Sequence, residues 1–178
     1  MKMNINTIPI LKTERLILKQ ISTEDAQAIF DLRSDPEINE FLDRKLCETT
    51  EEAKNFINII NENIKKSTTY YWSIFFTNTE LLVGTICLFN ICNKKKECEI
   101  GFELLMKYHK QGIMQECLLE VFKFVFQTLK YKKIIAITHS ENQNSIKLLL
   151  KFNFKKSKDK VYENNHLSIY TLKNIFDN

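Results

Sequence analysis

The sequence contains very little glycine and proline and no long run of apolar residues. Among 178 residues there are 3 glycines and 2 prolines, which leaves few positions where a flexible linker could separate two domains. No apolar stretch is long enough to cross a bilayer. The opening residues lack the apolar segment and the small-residue cleavage site of a secretory signal. We therefore expect one domain over residues 1–178, located in the cytoplasm.

Cysteine is present, but without a spacing that would give it a structural task. The chain has 5 cysteines, an odd number, and no C-x-x-C pair. This pattern argues against a disulfide framework and lacks the paired spacing of a zinc site. We expect no metal and interpret the cysteines as small buried hydrophobic residues.

Charge of one sign is not in large excess. The 26 basic and 22 acidic residues give a formal net charge of +4. The lysines are not interleaved with aromatic residues as they are in proteins that bind single-stranded nucleic acid. We expect neither a nucleic-acid nor a membrane partner. A modestly basic surface is compatible with a polyphosphate ligand or an acidic partner.

Periodicity and capping residues predict the element order βααβββαβαββ. This order implies an α/β (α+β) fold with a mixed, mostly antiparallel central sheet of about six or seven strands, flanked by about four helices on both faces. Hairpin turns are expected at 78–80 and 163–165, and Asn153 is expected to take the left-handed conformation after the last helix. The strands are expected at 15–21, 70–77, 81–90, 97–106, 133–138, 155–162 and 166–172, and the helices at 22–34, from 49, at 111–129 and at 142–152.

The segment from Glu99 to Cys117 carries the strongest functional signal. It reads as a strand, then a short basic turn that contains Gly112, then an amphipathic helix. Such a turn brings unpaired backbone N–H groups and the positive end of a helix dipole to one point. The segment therefore predicts a phosphate-binding site at the start of the helix.

A second segment, Asn142-Gln-Asn-Ser145 followed by Lys151-Phe-Asn-Phe154, lies one helix and one strand later. Together the two segments resemble the acyl-CoA-binding core of the GCN5-related N-acetyltransferase (GNAT) superfamily. Glu99-Ile-Gly-Phe102 and Thr13-Glu-Arg-Leu-Ile-Leu-Lys19 are similar to two strands of its ribosomal-protein N-terminal acetyltransferase subgroup. The resemblance covers nearly the whole chain, from Leu11 to Leu172.

The resemblance implies an N-acetyltransferase that moves an acetyl group from acetyl-CoA to a primary amine by direct transfer in a ternary complex. It implies that the pantetheine arm pairs with strand backbone and that the pyrophosphate lies on the turn. Where the turn departs from the family pattern, at His109 and Lys110, we expect extra phosphate contacts. The cofactor-binding residues implied are Phe102, Glu103, Leu104, Leu105, His109, Lys110, Gln111, Gly112, Ile113, Met114, Gln115, Asn142 and Ser145.

The acid and base of the reaction are less clearly marked. The family's tyrosine acid corresponds to Leu149, so we expect the Ser145 hydroxyl to donate to the leaving thiolate. Glu99 and Glu103 share one side of their strand and are the candidate general bases, unless they merely form a solvated strand face. His139 is a rival base.

Several alternatives stay open at this stage. The acceptor amine belongs to a protein N-terminus, an amino acid, a polyamine or an aminoglycoside, and the protein is expected to be a monomer or a homodimer. The altered turn and the missing tyrosine also suggest a non-catalytic acyl-CoA-binding or regulatory module on the same fold. A more distant alternative is a basic protein-interaction domain that binds no CoA.

Overall fold

The computed structural model of the chain describes residues 8–79, 81–158 and 166–174. Within these residues a 3₁₀ turn, Thr23–Asp25, precedes α1, and a π-helical turn, Phe124–Thr128, prolongs α4. The elements are β1 (Leu11–Lys12), β2 (Leu16–Gln20), α1 (Ala26–Ser34), α2 (Pro36–Asn39), α3 (Thr50–Lys65), β3 (Tyr70–Phe76), β4 (Leu82–Cys92), β5 (Glu97–Leu104), α4 (Ile113–Lys123), β6 (Lys133–His139), α5 (Gln143–Lys151), β7 (Lys155–Lys156) and β8 (Leu167–Lys173).

The described residues form one sheet of 8 strands, in the order β1-β2-β3-β4-β5-β6-β8-β7. Its pairs are antiparallel except for β5 and β6, which are parallel. That parallel pair requires a crossover, and α4 supplies it. The predicted mixed, mostly antiparallel sheet is confirmed, with β1 added to the strands expected from the sequence.

The helices cover opposite faces of the sheet. Phe56 of α3 packs edge-on against Tyr71, with ring centroids 5.8 Å apart, whereas Phe124 packs against Tyr70 and Trp72 at 5.2 and 5.6 Å. Because successive strand residues point to opposite faces, α3 and the α4 segment lie on different sides. We call these the α1–α3 face, since α1 packs on α3, and the α4 face.

Local capping signals in the sequence agree with the structure. Ser22 and Asp25 form a capping box ahead of α1, Thr49 caps α3, and Asn142 caps α5. Asn153 has a φ of 62°, which confirms the left-handed turn after α5.

The core fills both faces of the sheet: Trp72 and Phe122 are fully buried on the α4 face, and Ile29 and Ile57 are buried on the α1–α3 face. The expected hairpin turn at 163–165 and the second half of the strand expected at 155–162 lie outside the described residues, and the first half contains β7. Pro36 does end α1, as predicted, but it also starts the short helix α2, because proline is well suited to a first helical turn. No helix in the described part of the chain is long and apolar enough to span a membrane.

Candidate active site

The two parallel strands β5 and β6 separate part of the way along their length. They pair only at Glu97, Cys98 and Glu99, opposite Lys133, Ile134 and Ile135. Beyond Glu99, β5 continues along β4 to Leu104, and β6 continues along β8 to His139. A wedge-shaped gap therefore opens in the middle of the sheet, and we call it the divergence.

The backbone of β5 presents unpaired groups to the divergence. The N–H of Leu105 donates to the Val83 carbonyl on the β4 side, at 2.9 Å. Because backbone groups alternate in direction along a strand, the N–H groups of Leu104 and Phe102 point towards the side that β6 has left. Strand N–H donors of this kind suit an extended ligand that carries amide groups.

Gly84 lets β4 approach this part of β5 closely. A Cβ atom at Gly84 would collide with the backbone carbonyl oxygen of Glu103 and would lie 2.9 Å from the Leu104 side chain. Only glycine fits without displacing the strand, so Gly84 sets the position of β5 along the divergence.

The turn after β5 delivers the start of α4 to the mouth of the divergence. Lys110 and Gly112 have positive φ angles of 61° and 75°. The first intrahelical hydrogen bond runs from the Glu116 N–H to the Gly112 carbonyl, at 3.1 Å. The N–H groups of residues 113–115 precede this bond, and Gly112 has no side chain that could cap them. The N–H groups of residues 113–115 and the helix dipole therefore meet at one point, an arrangement that suits a phosphate group.

Several predicted binding residues of the turn have side chains that are already engaged. The His109 Nε2 lies 2.8 Å from the Leu104 carbonyl oxygen, and the Gln111 amide donates to the Lys107 carbonyl at 2.9 Å. Ile113 and Met114 are 1% and 7% exposed, so their side chains belong to the core and leave the turn open. Their backbone N–H groups are what the turn offers to a ligand, and phosphate binding by His109 stays a prediction.

Glu116 anchors the start of α4 to the beginning of β2. Its carboxylate accepts hydrogen bonds from the Thr13 hydroxyl, from the Arg15 N–H at 3.0 Å and from the Arg15 Nε at 2.8 Å. Burial opposes ionisation, but these hydrogen bonds outweigh it and hold the pKa of the Glu116 carboxyl below its ordinary value. The Arg15 Nη2 also donates to the Gln111 carbonyl of the turn, at 3.3 Å.

Glu103 lies on the α1–α3 face of the divergence and is held by an arginine from the loop after α2. The two outer nitrogens of Arg44 donate to the two carboxylate oxygens, and the Nη1 to Oε1 distance is 3.0 Å. Both side chains are largely buried, at 20% and 17% exposure. The Arg44 Nε donates to the Asn39 Oδ1 at 2.6 Å, and the Asn39 amide donates to the carbonyls of Leu32 and Asp35. This connected network fixes one carboxylate beside the gap.

The same loop also contacts the other side of the divergence. The Phe41 ring lies 5.3 Å from the ring of His139, at the end of β6, and the His166 ring stacks on His139 at 5.5 Å. The segment from Asn39 to Arg44 therefore bridges β5 and β6 on the α1–α3 face.

The two candidate bases on β5 are not equivalent. Glu99 sits at the last residue paired with β6 and accepts from the Asn90 amide at 2.9 Å. Glu103 lies four residues further on, in the part of β5 that β6 has left, which is about 13 Å along the strand. The structure therefore places Glu103 in the divergence and Glu99 where the divergence begins.

Asn142 and Ser145 sit at the start of α5. The Asn142 Oδ1 accepts from the Ser145 N–H at 3.0 Å, so the asparagine caps this helix. No described residue bonds to the Ser145 hydroxyl, and the residue is half-buried. It stays a candidate proton donor.

Two cysteines near the site, Cys98 and Cys117, are poor nucleophiles. Cys98 and Cys117 are fully buried. Burial raises the pKa of the Cys98 thiol to about 12 and the pKa of the Cys117 thiol still further, so both stay protonated. This favours direct attack on the donor over an acyl-cysteine intermediate. The described residues contain no group of three or more His, Cys, Asp or Glu side chains that could hold a metal ion.

Sequence reasoning did not identify Arg15, Asn39, Arg44 or Gly84 as parts of the site. Arg15 belongs to the Thr13–Lys19 stretch that resembles the subgroup, but nothing in the sequence pairs it with Glu116. Arg44 and Glu103 are separated by 59 positions, and no motif connects them.

Comparison with known proteins agrees with this geometry. A family model described as "Acetyltransferase (GNAT) domain" matches residues 15–155. YoaA of Bacillus subtilis (strain 168), described as an uncharacterized N-acetyltransferase, is 32% identical over 148 residues, which cover 83% of this chain and 84% of YoaA. The acetyltransferase PseH of Campylobacter jejuni (strain 81-176) is 27% identical over 151 residues, which cover 85% of this chain and 82% of PseH.

Among solved structures, this fold is similar to that of RimL, a ribosomal L7/L12 alpha-N-protein acetyltransferase in complex with coenzyme A. The TM-score is 0.81 at 16% sequence identity, and the match covers 93% of this chain and 98% of that one.

Proposed function

The chain belongs to the GNAT acetyltransferase family and is an acetyl-CoA-dependent N-acetyltransferase, and from that premise we propose that transfer to a primary amine takes place in a ternary complex at the divergence of β5 and β6. The observation that carries the proposal is the early end of β5–β6 pairing, at Glu99, directly before the turn that starts α4. Because the pairing ends there, the N–H groups of β5 and the N-terminus of α4 form one continuous path.

The donor side of this path is built from backbone. The N–H groups of Phe102 and Leu104 suit the amides of a pantetheine arm, and those of residues 113–115 suit a pyrophosphate. When bound, acetyl-CoA supplies the thioester carbonyl as acyl donor. We assign the polarisation of that carbonyl to N–H groups on β5. The Ser145 hydroxyl is assigned to donate a hydrogen bond to the sulfur that leaves, and the sulfur takes up the second proton of the acceptor nitrogen.

The acceptor side is the α1–α3 face. A protonated amine entering there meets the Glu103 carboxylate, whose oxygens keep lone pairs free beyond those used by Arg44. We assign to Glu103 the orientation of the acceptor nitrogen. The proton then passes to Glu103 or, across the divergence, to His139, and the pH–rate profiles of Glu103→Gln and His139→Gln distinguish the two.

A protein N-terminus is the acceptor we propose to test first. RimL, whose fold this chain shares, acts on a protein α-amino group according to its description. Leu42 and Leu46, which are 39% and 36% exposed, flank Arg44 in sequence and offer apolar contacts to a peptide. An amino acid, a polyamine and an aminoglycoside complete the panel.

The test begins with the donor. Thermal unfolding is followed with acetyl-CoA, CoA and ATP, and we expect saturable stabilisation by the two CoA species and not by ATP. Gly112→Trp should abolish that stabilisation because it blocks the turn. The acceptor panel is then assayed for release of free thiol. No stabilisation at millimolar CoA, or an equal response to ATP, would overturn the proposed donor site.

A further inference from the structure

Arg15 connects three parts of the structure at the start of α4. Its Nε and Nη2 pair with the Glu116 carboxylate at 2.8 Å, and Nη2 also donates to the Gln111 carbonyl at 3.3 Å. The same Nη2 is the nearest atom, at 3.7 Å, to the position that a Cβ would take on Gly112. The guanidinium therefore lies against the back of the turn, and its side chain is 47% exposed.

The contact with Gln111 fixes the direction of one backbone donor. In a trans peptide the C=O and the N–H point in opposite directions. Because Arg15 holds the Gln111 carbonyl, the N–H of Gly112 must point away from Arg15. Without this contact, the Gln111–Gly112 peptide is free to rotate, since glycine tolerates many backbone conformations.

The contact with Glu116 also compensates a negative charge that lies close to the turn. Glu116 lies one helical turn after Gly112, and its hydrogen bonds keep it ionised. An anionic carboxylate so close to the turn would repel a bound phosphate. The guanidinium of Arg15, paired with the Glu116 carboxylate, neutralises that negative charge.

We infer that Arg15 is a positioning residue for the donor: it orients the Gly112 N–H towards the pyrophosphate and cancels the charge of Glu116. This inference rests on the proposed function, because it assumes that the pyrophosphate lies on the turn. Arg15 acts through Gln111 and Glu116 and does not itself touch the acetyl group.

The test compares three ligands that differ in their phosphates. Dissociation constants are measured by calorimetry or competition for CoA, for dephospho-CoA, which keeps the pyrophosphate, and for pantetheine, which has no phosphate. Arg15→Met should weaken CoA and dephospho-CoA alike, by about tenfold, and leave pantetheine unchanged. A purely structural role would weaken all three ligands equally.

Two further variants guard against misfolding and non-specific effects. Arg15→Lys keeps a positive charge beside Glu116 and should fold, but it lacks the planar fork and should also lose affinity for the two pyrophosphate ligands. Lys123→Met removes an ion pair with Glu120 on the same helix, 2.6 Å long, and should bind all three ligands like the wild type. Wild-type binding of CoA by Arg15→Lys would contradict the inference.

The affinities of the wild-type protein for CoA and pantetheine distinguish a failure of this inference from a failure of the proposed donor site. If it binds CoA no more tightly than pantetheine, the pyrophosphate does not use the turn and the proposed donor site is wrong. If it prefers CoA and Arg15→Met keeps the same preference, the donor site stands and only the role of Arg15 is wrong.

Discussion

Replacing Arg44 with methionine tests whether the Glu103 carboxylate is held as the structure indicates. Methionine keeps much of the side-chain volume but removes all donors. The Glu103 carboxylate, 17% exposed, then loses its guanidinium partner, and the Asn39 Oδ1, in a residue only 6% exposed, loses its donor.

The expected loss follows from these two orphaned acceptors. Leaving a buried polar group without its partner costs about 1–3 kcal/mol, and more for a charged group. Some solvent still reaches Glu103, so we expect Arg44→Met to lower the free energy of unfolding by about 3 kcal/mol. Glu103→Gln keeps the shape and removes the charge, so we expect a loss of about 1 kcal/mol. In the double variant the losses should be less than additive, with a coupling of about 1–2 kcal/mol.

Urea denaturation of the two single variants and the double variant measures this coupling. Lys45→Met is the matched control, since Lys45 and Glu48 form an ion pair at 75% and 64% exposure, where solvent screening leaves such a pair little effect on stability. CoA affinity should stay unchanged in Arg44→Met, because the network lies on the opposite side of the sheet from α4. If Arg44→Met costs no more than Lys45→Met, the reasoning about a fixed carboxylate fails.

Three further predictions concern the turn, the acidic anchor and the proton donor. Gly112→Ala should destabilise the protein by about 1 kcal/mol and Gly112→Asn by less, because φ is 75° there; equal losses in urea denaturation would contradict this. Although burial opposes it, hydrogen bonding lowers the pKa of Glu116 from the usual 4.5, so its stabilisation is present at neutral pH and is lost as the pH falls through the lowered value. Glu116→Gln should therefore flatten the acid limb of the stability–pH curve, and an unchanged limb would disprove the assignment. Ser145→Ala should lower kcat with little change in the Kd for CoA, and a wild-type rate would remove Ser145 as the acid.

Several features of this architecture are determined by short stretches of sequence. Ser22, Thr49 and Asn142 cap their helices because each supplies a side-chain oxygen to N–H groups two or three residues away. Glu99 and Glu103 are four positions apart on β5, and because side chains alternate along a strand, both lie on the same side of it. The turn before α4 was likewise predicted from a glycine at the start of an amphipathic helix. Helix and strand identity was therefore largely predictable, and strand ends were less so.

Other features depend on which distant elements meet. Arg15 finds Glu116 at a sequence separation of 101, and Arg44 finds Glu103 at a separation of 59, so no local pattern announces either pair. β6 leaves β5 after Glu99, and that point becomes visible only when the two strands are paired in the tertiary structure. The sequence by itself determined the elements, the turn and the family resemblance, because these rest on contacts within a few residues. Only the tertiary structure decided that Arg15 meets Glu116 and that Arg44 meets Glu103, because those contacts arise when elements far apart in the chain pack together.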